Sequence, residues 1–276
     1  MTAAGPAPPL GPNSVLLTGR VAVVTGGGAG IGRGIARGLS AFGASVAIWE
    51  RDADTGAAAA AEIGGLAITT DVRDAEQVDA ALARTVDELG AVSILVNNAG
   101  GVFAVPFLEG SENGWDALHR ANLKQVMLCT QRVARTMAAN GEPGSIINIT
   151  SIEGTRGAPG YAAYAAAKAG VINFTKTVAL ELAPIGIRVN ALAPDITMTE
   201  GLAAVAPPGR AEQFGFIVPM GRVGHVDEMA GAAVFLASAL SSYVTGQTIH
   251  VDGGSHAAGG WYHDPDGGDY ILGPSA

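Results

Sequence analysis

Seven short apolar runs alternate with longer segments of helical period along this chain, and that alternation leaves few folds open. The runs are RVAVVT (20–25), SVAIWE (45–50), LAITT (66–70), SILVNN (93–98), SIINIT (145–150), IRVNALAP (187–194) and QTIHV (247–251). Runs that are apolar throughout read as strands covered on both faces, and the long intervals between them leave room for the crossover helices that parallel strands require. Helical stretches near 30–42, 54–63, 74–89, 111–139, 161–184 and 226–239 fill those intervals, several of them stopping at a turn with Gly43, Gly90 or Gly186. The expected architecture is α/β: one doubly wound parallel sheet of about seven strands with helices on both faces.

Composition bounds the rest. With 276 residues, 48% of them hydrophobic, the chain has enough apolar material for one sizeable core, so a single domain is expected. A net charge of -9 with no Lys or Arg run repels phosphate backbones and anionic membranes, so neither nucleic acid nor a membrane is an expected partner. One cysteine, Cys129, rules out an internal disulfide; it sits in an apolar helical stretch and is expected to be buried packing. No Cys/His cluster has metal-ligand spacing, so no metal is expected and the chain reads as cytoplasmic. The Pro/Ala/Gly-rich residues 1–17 read as a flexible arm, without a signal peptide, ahead of a catalytic domain over 18–254. Within it, 198–221 breaks the rhythm with Pro207 and Pro208 after a strand's carboxyl end and is expected to be a substrate lid; 255–276 is a C-terminal extension.

The first run passes directly into TGGGAGIG, which puts Gly26, Gly27, Gly28, Gly30 and Gly32, with Ile31, in the turn that opens the first long helix. Glycines there let the backbone turn tightly and approach a pyrophosphate lying against free helix N–H groups. The second run ends at Glu50, about twenty residues on, where a carboxylate can accept both adenosine ribose hydroxyls. That pairing makes the sheet Rossmann-like. The same carboxylate repels a 2′-phosphate, and Ala29 stands where a basic residue would hold one, so NAD is favoured over NADP. Arg51 works against that preference.

Tyr164 and Lys168 lie four apart in YAAYAAAKAG, hence on one helical face, and an ammonium one turn away is expected to lower the phenol toward a usable general acid and base. Ser151 ends the strand SIINIT thirteen residues earlier, placed to hydrogen-bond the reacting oxygen. Asn97 and Asn98, and Asn122 within a helix, are polar where packing alone would not ask for it.

Together these motifs resemble the short-chain dehydrogenase/reductase family in its shorter, single-domain form, over about 20–254. The resemblance rests on Thr25-Gly-x3-Gly-x-Gly32, Asn97-Asn-Ala-Gly100, and Ser151 with Tyr164-x3-Lys168. It implies a catalytic tetrad of Asn122, Ser151, Tyr164 and Lys168: Ser151 orients the substrate oxygen, Tyr164 exchanges its proton, Lys168 holds the nicotinamide ribose, and Asn122 relays protons to solvent through its backbone carbonyl and a water. It further implies Asp71 at the adenine amino group beside Val72, Asn98 near the ribose, and Thr197 and Thr199 at the carboxamide and phosphates. The implied reaction interconverts a secondary alcohol and a ketone, in a homotetramer assembled through the two longest helices.

Two departures matter. Pro194-Asp195 stands where the family usually has Pro-Gly, and Tyr161 lies seven before Lys168, the spacing of the enoyl reductase branch. An enoyl reductase using Tyr161, and a catalytically silent dinucleotide-binding protein, therefore stand as alternatives. Ile152, Glu153, Thr155, Gly157 and Ala158 are expected to frame the substrate, with Glu153 the one charge available to a substrate hydroxyl or amine; a sugar, steroid, cyclic diol or 3-oxoacyl thioester all remain open. Trp261 and Tyr262, in an extension that also carries Tyr270, His256 and His263, are expected to pack near a neighbouring subunit's substrate entrance.

Overall fold

The computed structural model describes residues 9–205, 210–264 and 270–272. Seven strands, all pairing in parallel, form one sheet: β1 (Val21–Thr25), β2 (Ser45–Glu50), β3 (Leu66–Thr69), β4 (Val92–Asn97), β5 (Gly144–Ile149), β6 (Ile187–Pro194) and β9 (Thr248–Val251). Their spatial order is β3-β2-β1-β4-β5-β6-β9, so the chain winds outward in one direction as far as β3 and in the other from β4. The reversal between β1 and β4 opens a crevice at the carboxyl ends of the strands, where such sheets hold ligands.

Residue alternation explains why both faces are covered. Ala22 and Val24 of β1 pack with Ile35 and Leu39 of α1 (Gly30–Ala41), Ala59 and Ala60 of α2 (Ala53–Ile63) and Met229, Ala233 and Val234 of α9 (Val226–Ala237). Val21 and Val23 point the other way, into a second cluster with Val78 and Leu82 of α3 (Ala75–Leu89), Cys129 and Val133 of α5 (Gln125–Asn140) and Ala179 of α6 (Ala162–Leu182). Each fully buried Val, Leu or Ile contributes about 1.5–3 kcal/mol relative to exposure, so these two layers carry the fold. Cys129 lies inside the second, its thiol pushed up to about 12 by burial, which leaves it unreactive packing.

A polar ladder crosses that second layer. Asn97 and its register partner Asn148 are both buried; Asn97 Nδ2 donates to Thr130 Oγ1 (2.9 Å) and to Asn148 Oδ1 (2.8 Å), and Asn148 Nδ2 donates to Thr175 Oγ1 (2.9 Å). The ladder ties α5, β4, β5 and α6 into one lateral arrangement that apolar contacts alone would leave free to slide.

The expected helix over 111–139 is interrupted. It runs as α4 (Glu112–His119), then one widened π turn over Arg120–Lys124, then α5. Asn122 accounts for the break, because its Nδ2 donates to Leu118 O (3.0 Å), a carbonyl of the i−4 ladder, and to Gly101 O (2.7 Å). A side chain inserted in the ladder displaces the backbone bond and widens the turn.

Of the expected arm, Pro12–Val15 forms a 3-10 turn and Leu17 is buried in the core, its N–H bonded to Phe42 O (2.7 Å). The expected lid begins at β7 (Thr197–Met198), which pairs with β8 (Gly224–His225) and so closes the base of a loop holding α7 (Glu200–Val205) and α8 (Arg210–Ile217). Pro207 and Pro208 lie outside the described residues. The extension forms α10 (Ser255–Ala258) and a hairpin of β10 (Trp261–His263) with β11 (Tyr270–Leu272). His263 Nε2 lies 2.9 Å from Pro219 O and Tyr270 donates to the same carbonyl (3.3 Å), so the hairpin leans on this chain's own lid.

Candidate active site

Thr25 sets the crevice. It ends β1 beside β4, and its hydroxyl accepts the N–H groups of Asn98 and Ala99 (3.0 Å each), clasping the two strands where the winding reverses. Asn98 then reaches back, Nδ2 donating to Thr25 O (3.0 Å) and Gly26 O (2.9 Å), so the glycine turn is held from the neighbouring strand. Two glycines in the turn are obligatory. Gly26 has φ +61, and a Cβ on Gly32 would sit 2.2 Å from Gly26 O and 2.4 Å from Asn98 Nδ2. The turn is thus compressed against the clasp, which aims the first N–H groups of α1 into the crevice.

That crevice is a cleft of about 540 Å³ lined by Gly26, Gly30 and Ile31 from the turn, Glu50 and Arg51 after β2, Asp71 and Val72 after β3, Asn98 after β4, and Thr199 and Glu200 from the lid. Its shape and donors fit an elongated dinucleotide. One anion already demonstrates the chemistry: the Glu200 carboxylate accepts the Gly30 N–H (3.1 Å) at the mouth of α1 and lies 3.8 Å from Arg33. Hydrogen bonds from its own N–H and from Gly30 hold the Glu200 carboxyl below its usual range. Glu50 curls beneath the turn, Oε2 accepting from Gly28 N (3.1 Å) and Oε1 from Arg51 N (2.8 Å) and Asp52 N (3.3 Å), which leaves acceptor capacity on Oε2 facing the cleft. Asp71 is locked by Arg73, whose Nε and Nη2 both reach it, and that bond draws its carboxyl down to about 2.

Ser151, Tyr164 and Lys168 converge where β5 ends against α6. Thr150 Oγ1 donates to Lys168 O (2.8 Å) and Lys168 Nζ donates to Ile149 O (2.9 Å), so helix and strand end are stitched from both sides. Burial lowers the Lys168 ammonium to about 8. Its Nζ lies over the Tyr164 ring, 5.6 Å from the centroid. The Tyr164 hydroxyl is pushed up by burial and by the Glu153 carboxylate, and drawn down by its hydrogen bond with Ser151. The net direction is opposite to the lowering expected of Lys168, because burial of the phenol dominates; Lys168 gives one of its three N–H donors to Ile149 O. Ser151 Oγ in turn accepts the Glu153 N–H (3.2 Å). Asn122 lies opposite Lys168 across Gly100, whose absent Cβ would fall 2.8 Å from Asn122 Oδ1 and 3.7 Å from Lys168 Nζ.

Of the expected cofactor residues, Gly28, Gly32, Tyr164, Lys168 and Thr197 are not among those lining the cleft. Thr197 is buried and donates to Asp195 O (3.1 Å), while Gly28 shows its N–H to Glu50. Glu200 and Arg73 went unnoticed in the sequence because nothing in their local pattern marks them; the fold alone brings them to the cleft. Tyr161 is the N-cap residue of α6 and lines a recess with Phe103, Phe107 and Trp115. Among the described residues no helix is long and apolar enough to cross a membrane, and no group of His, Cys, Asp and Glu is arranged to hold a metal.

Comparison with known proteins agrees with this geometry. The family model described as enoyl-(acyl carrier protein) reductase matches residues 26–256. A 3-oxoacyl-[acyl-carrier-protein] reductase of Synechocystis is 43% identical over 248 residues, 86% of this chain and 97% of that protein. A sorbitol dehydrogenase of Cereibacter sphaeroides is 38% identical over 251 residues, covering 87% and 98%. Among solved structures, a gluconate 5-dehydrogenase of Burkholderia cenocepacia in complex with NADP and tartrate superposes with a TM-score of 0.83 at 40% identity, covering 89% of this chain and 98% of that one. A nucleotide cleft built on a glycine turn, with Ser, Tyr and Lys converging beside it, and relatives matched over nearly their full length make this chain a member of the short-chain dehydrogenase/reductase family of oxidoreductases.

Proposed function

We propose that this enzyme interconverts a secondary alcohol and a ketone with NAD(H), Tyr164 acting as general acid and base. The observation that carries the reading is the meeting of the Ser151 and Tyr164 hydroxyls with Lys168 buried behind the phenol ring. A nicotinamide bound in the cleft would supply hydride chemistry at the reacting carbon. Ser151, oriented by the Glu153 N–H, hydrogen-bonds the reacting oxygen, and Tyr164 takes its proton in oxidation or returns it in reduction. Lys168, poised near pH 8 by burial, holds the nicotinamide ribose and passes the proton on, with the Asn122 carbonyl in the widened turn completing the route to solvent. Ser151, Glu153 and Tyr164 bind substrate. A silent dinucleotide-binding protein has no use for three such groups at one strand end.

The test is Tyr164→Phe, expected to lose about 10²- to 10⁴-fold in turnover while NADH titration by fluorescence stays near wild type. The enoyl reductase description of the matched family model favours a second reading, through Tyr161. An active Tyr164→Phe enzyme with a dead Tyr161→Phe would establish that reading in place of ours.

NAD is the proposed cofactor, held by Gly26, Gly30 and Ile31 at the pyrophosphate, Glu50 at the adenosine ribose, Asp71 and Val72 at adenine, and Asn98 and Thr199 toward the nicotinamide. Support comes from the Glu50 carboxylate on the cleft wall; the gluconate dehydrogenase relative, by contrast, holds NADP. Glu50→Ser is expected to shift the NAD/NADP ratio of kcat/KM about tenfold or more toward NADP; wild-type preference for NADP would overturn the assignment. We further propose a cytoplasmic homotetramer paired through the two longest helical stretches, on which Met127 of α5 and Leu180 of α6 are exposed.

A further inference from the structure

Beside the reacting oxygen the chain builds a wall of charge. Asp195, at the end of β6, is only 6% exposed in its side chain and faces Arg156, Oδ1 to Nη2 at 3.4 Å. Arg156 Nη2 also donates to Glu153 Oε1 (2.9 Å), and Glu153 follows Ser151 by two residues. One guanidinium therefore bridges two carboxylates from two strand ends. Two carboxylates to one guanidinium leave the group at net charge -1. Glu153 gives its own N–H to Ser151 Oγ (3.2 Å), so the wall begins directly at the Ser151 hydroxyl. Lys168 is buried behind the phenol, bonded to Ile149 O.

Such a wall discriminates by chemistry. An apolar substrate strips water from these groups and gives nothing back, while an anionic one meets a net negative charge. A neutral molecule with several hydroxyls donates to the carboxylate oxygens and accepts from Arg156. We propose that Glu153, Arg156 and Asp195 form the specificity wall of this enzyme, and that its substrate is a neutral polyhydroxylated alcohol and the corresponding ketone. This deepens the alcohol–ketone reading and rests on it.

The test uses the full-length enzyme with NAD and three alcohols: sorbitol, gluconate and cyclohexanol. Wild type is expected to oxidise sorbitol with a kcat/KM at least about tenfold above either of the others, the ratio expected where a site is built to hydrogen-bond its substrate. Raising the salt concentration should narrow the gap to gluconate. Asp195→Asn and Arg156→Met should each lower the sorbitol-to-cyclohexanol ratio about tenfold through the sorbitol KM, with Arg156→Lys recovering part of it. Should Arg156→Met fail to fold, Asp195→Asn decides the matter, with NADH affinity as the check on the cofactor cleft. Preference for gluconate, or variants that depress sorbitol and cyclohexanol equally, would overturn the wall and leave the Tyr164 reading standing. No turnover of any of the three by wild type would overturn both.

Discussion

The cofactor cleft and the catalytic corner are a short distance apart and are built on opposite principles. In the cleft the working donors are backbone N–H groups, and the carboxylates around it, half-buried at Glu50 and Asp71 and exposed at Glu200, are already bonded: Glu50 to the turn, Asp71 to Arg73, Glu200 to Gly30. In the corner the working groups are side chains, and burial dominates their chemistry, lowering Lys168 to about 8 and pushing Tyr164 up. A site made of backbone tolerates no added volume. A site made of buried side chains tolerates little change of charge at all. Each statement can be broken by experiment.

The largest expected effect tests the volume claim. Gly32→Ala places a methyl 2.2 Å from Gly26 O, inside a turn clamped by Asn98, so no flexible side chain can give way. NADH affinity should fall at least about a hundredfold, and stability by about 3 kcal/mol, the upper range for overpacking. Gly231 on α9 has nothing within 4 Å of its missing Cβ, and Gly231→Ala should stabilise by about 0.5–1 kcal/mol. Isothermal titration and urea unfolding of the two variants decide it; an unharmed Gly32→Ala protein would mean that the turn is looser than its geometry.

The corner is tested by pH. Lys168 ionises at about 8 in the fold and near 10.5 when unfolded, so between these values the unfolded chain binds the proton that the folded chain has released. Stability from this group therefore rises with pH across 8 to 10.5, by up to about 3 kcal/mol, and below pH 8 the burial cost is present in full. Urea unfolding of the apo-protein at stepped pH, wild type against Lys168→Met, isolates the contribution. Parallel curves for the two proteins would show that the ammonium is not buried as described.

The same contrast explains what could be read without a structure. The strands, the order of glycines, and Ser151, Tyr164 and Lys168 were legible because each belongs to a short segment whose spacing already implies its geometry: a strand, a turn, one face of α6. The break at Asn122 was not, since it depends on Gly101, twenty-one residues away, offering a carbonyl to the amide. Nor was the direction of the Tyr164 shift, which burial of the phenol decides. Arg156 and Asp195 are thirty-nine residues apart, and only the adjacency of β5 and β6 joins them. Local spacing encodes the backbone-made half well. It encodes long-range side-chain pairing hardly at all.

Glu200 provides the smallest and sharpest test, because it is a side chain doing in the cleft what a ligand phosphate does. Its carboxylate occupies the Gly30 N–H at the mouth of α1 and faces Arg33, both of which favour an anion, and it does so from the first residue of the lid helix. A pyrophosphate approaching that N–H must displace it and meets its charge. Glu200→Gln keeps the size and one acceptor but removes the charge, so it should hold the turn less firmly and repel the incoming phosphate less. An exposed charge at a helix N-terminus is worth about 0.3–1 kcal/mol at low ionic strength, so the expected gain in NADH affinity is roughly two- to fivefold. The gain should fade as salt screens the carboxylate in the wild type. Fluorescence titration of NADH at low and high salt measures both trends. If Glu200→Gln instead weakens NADH, the carboxylate serves to position Thr199 and the lid for the bound cofactor, and the division between a backbone-made cleft and a side-chain-made corner fails at its edge.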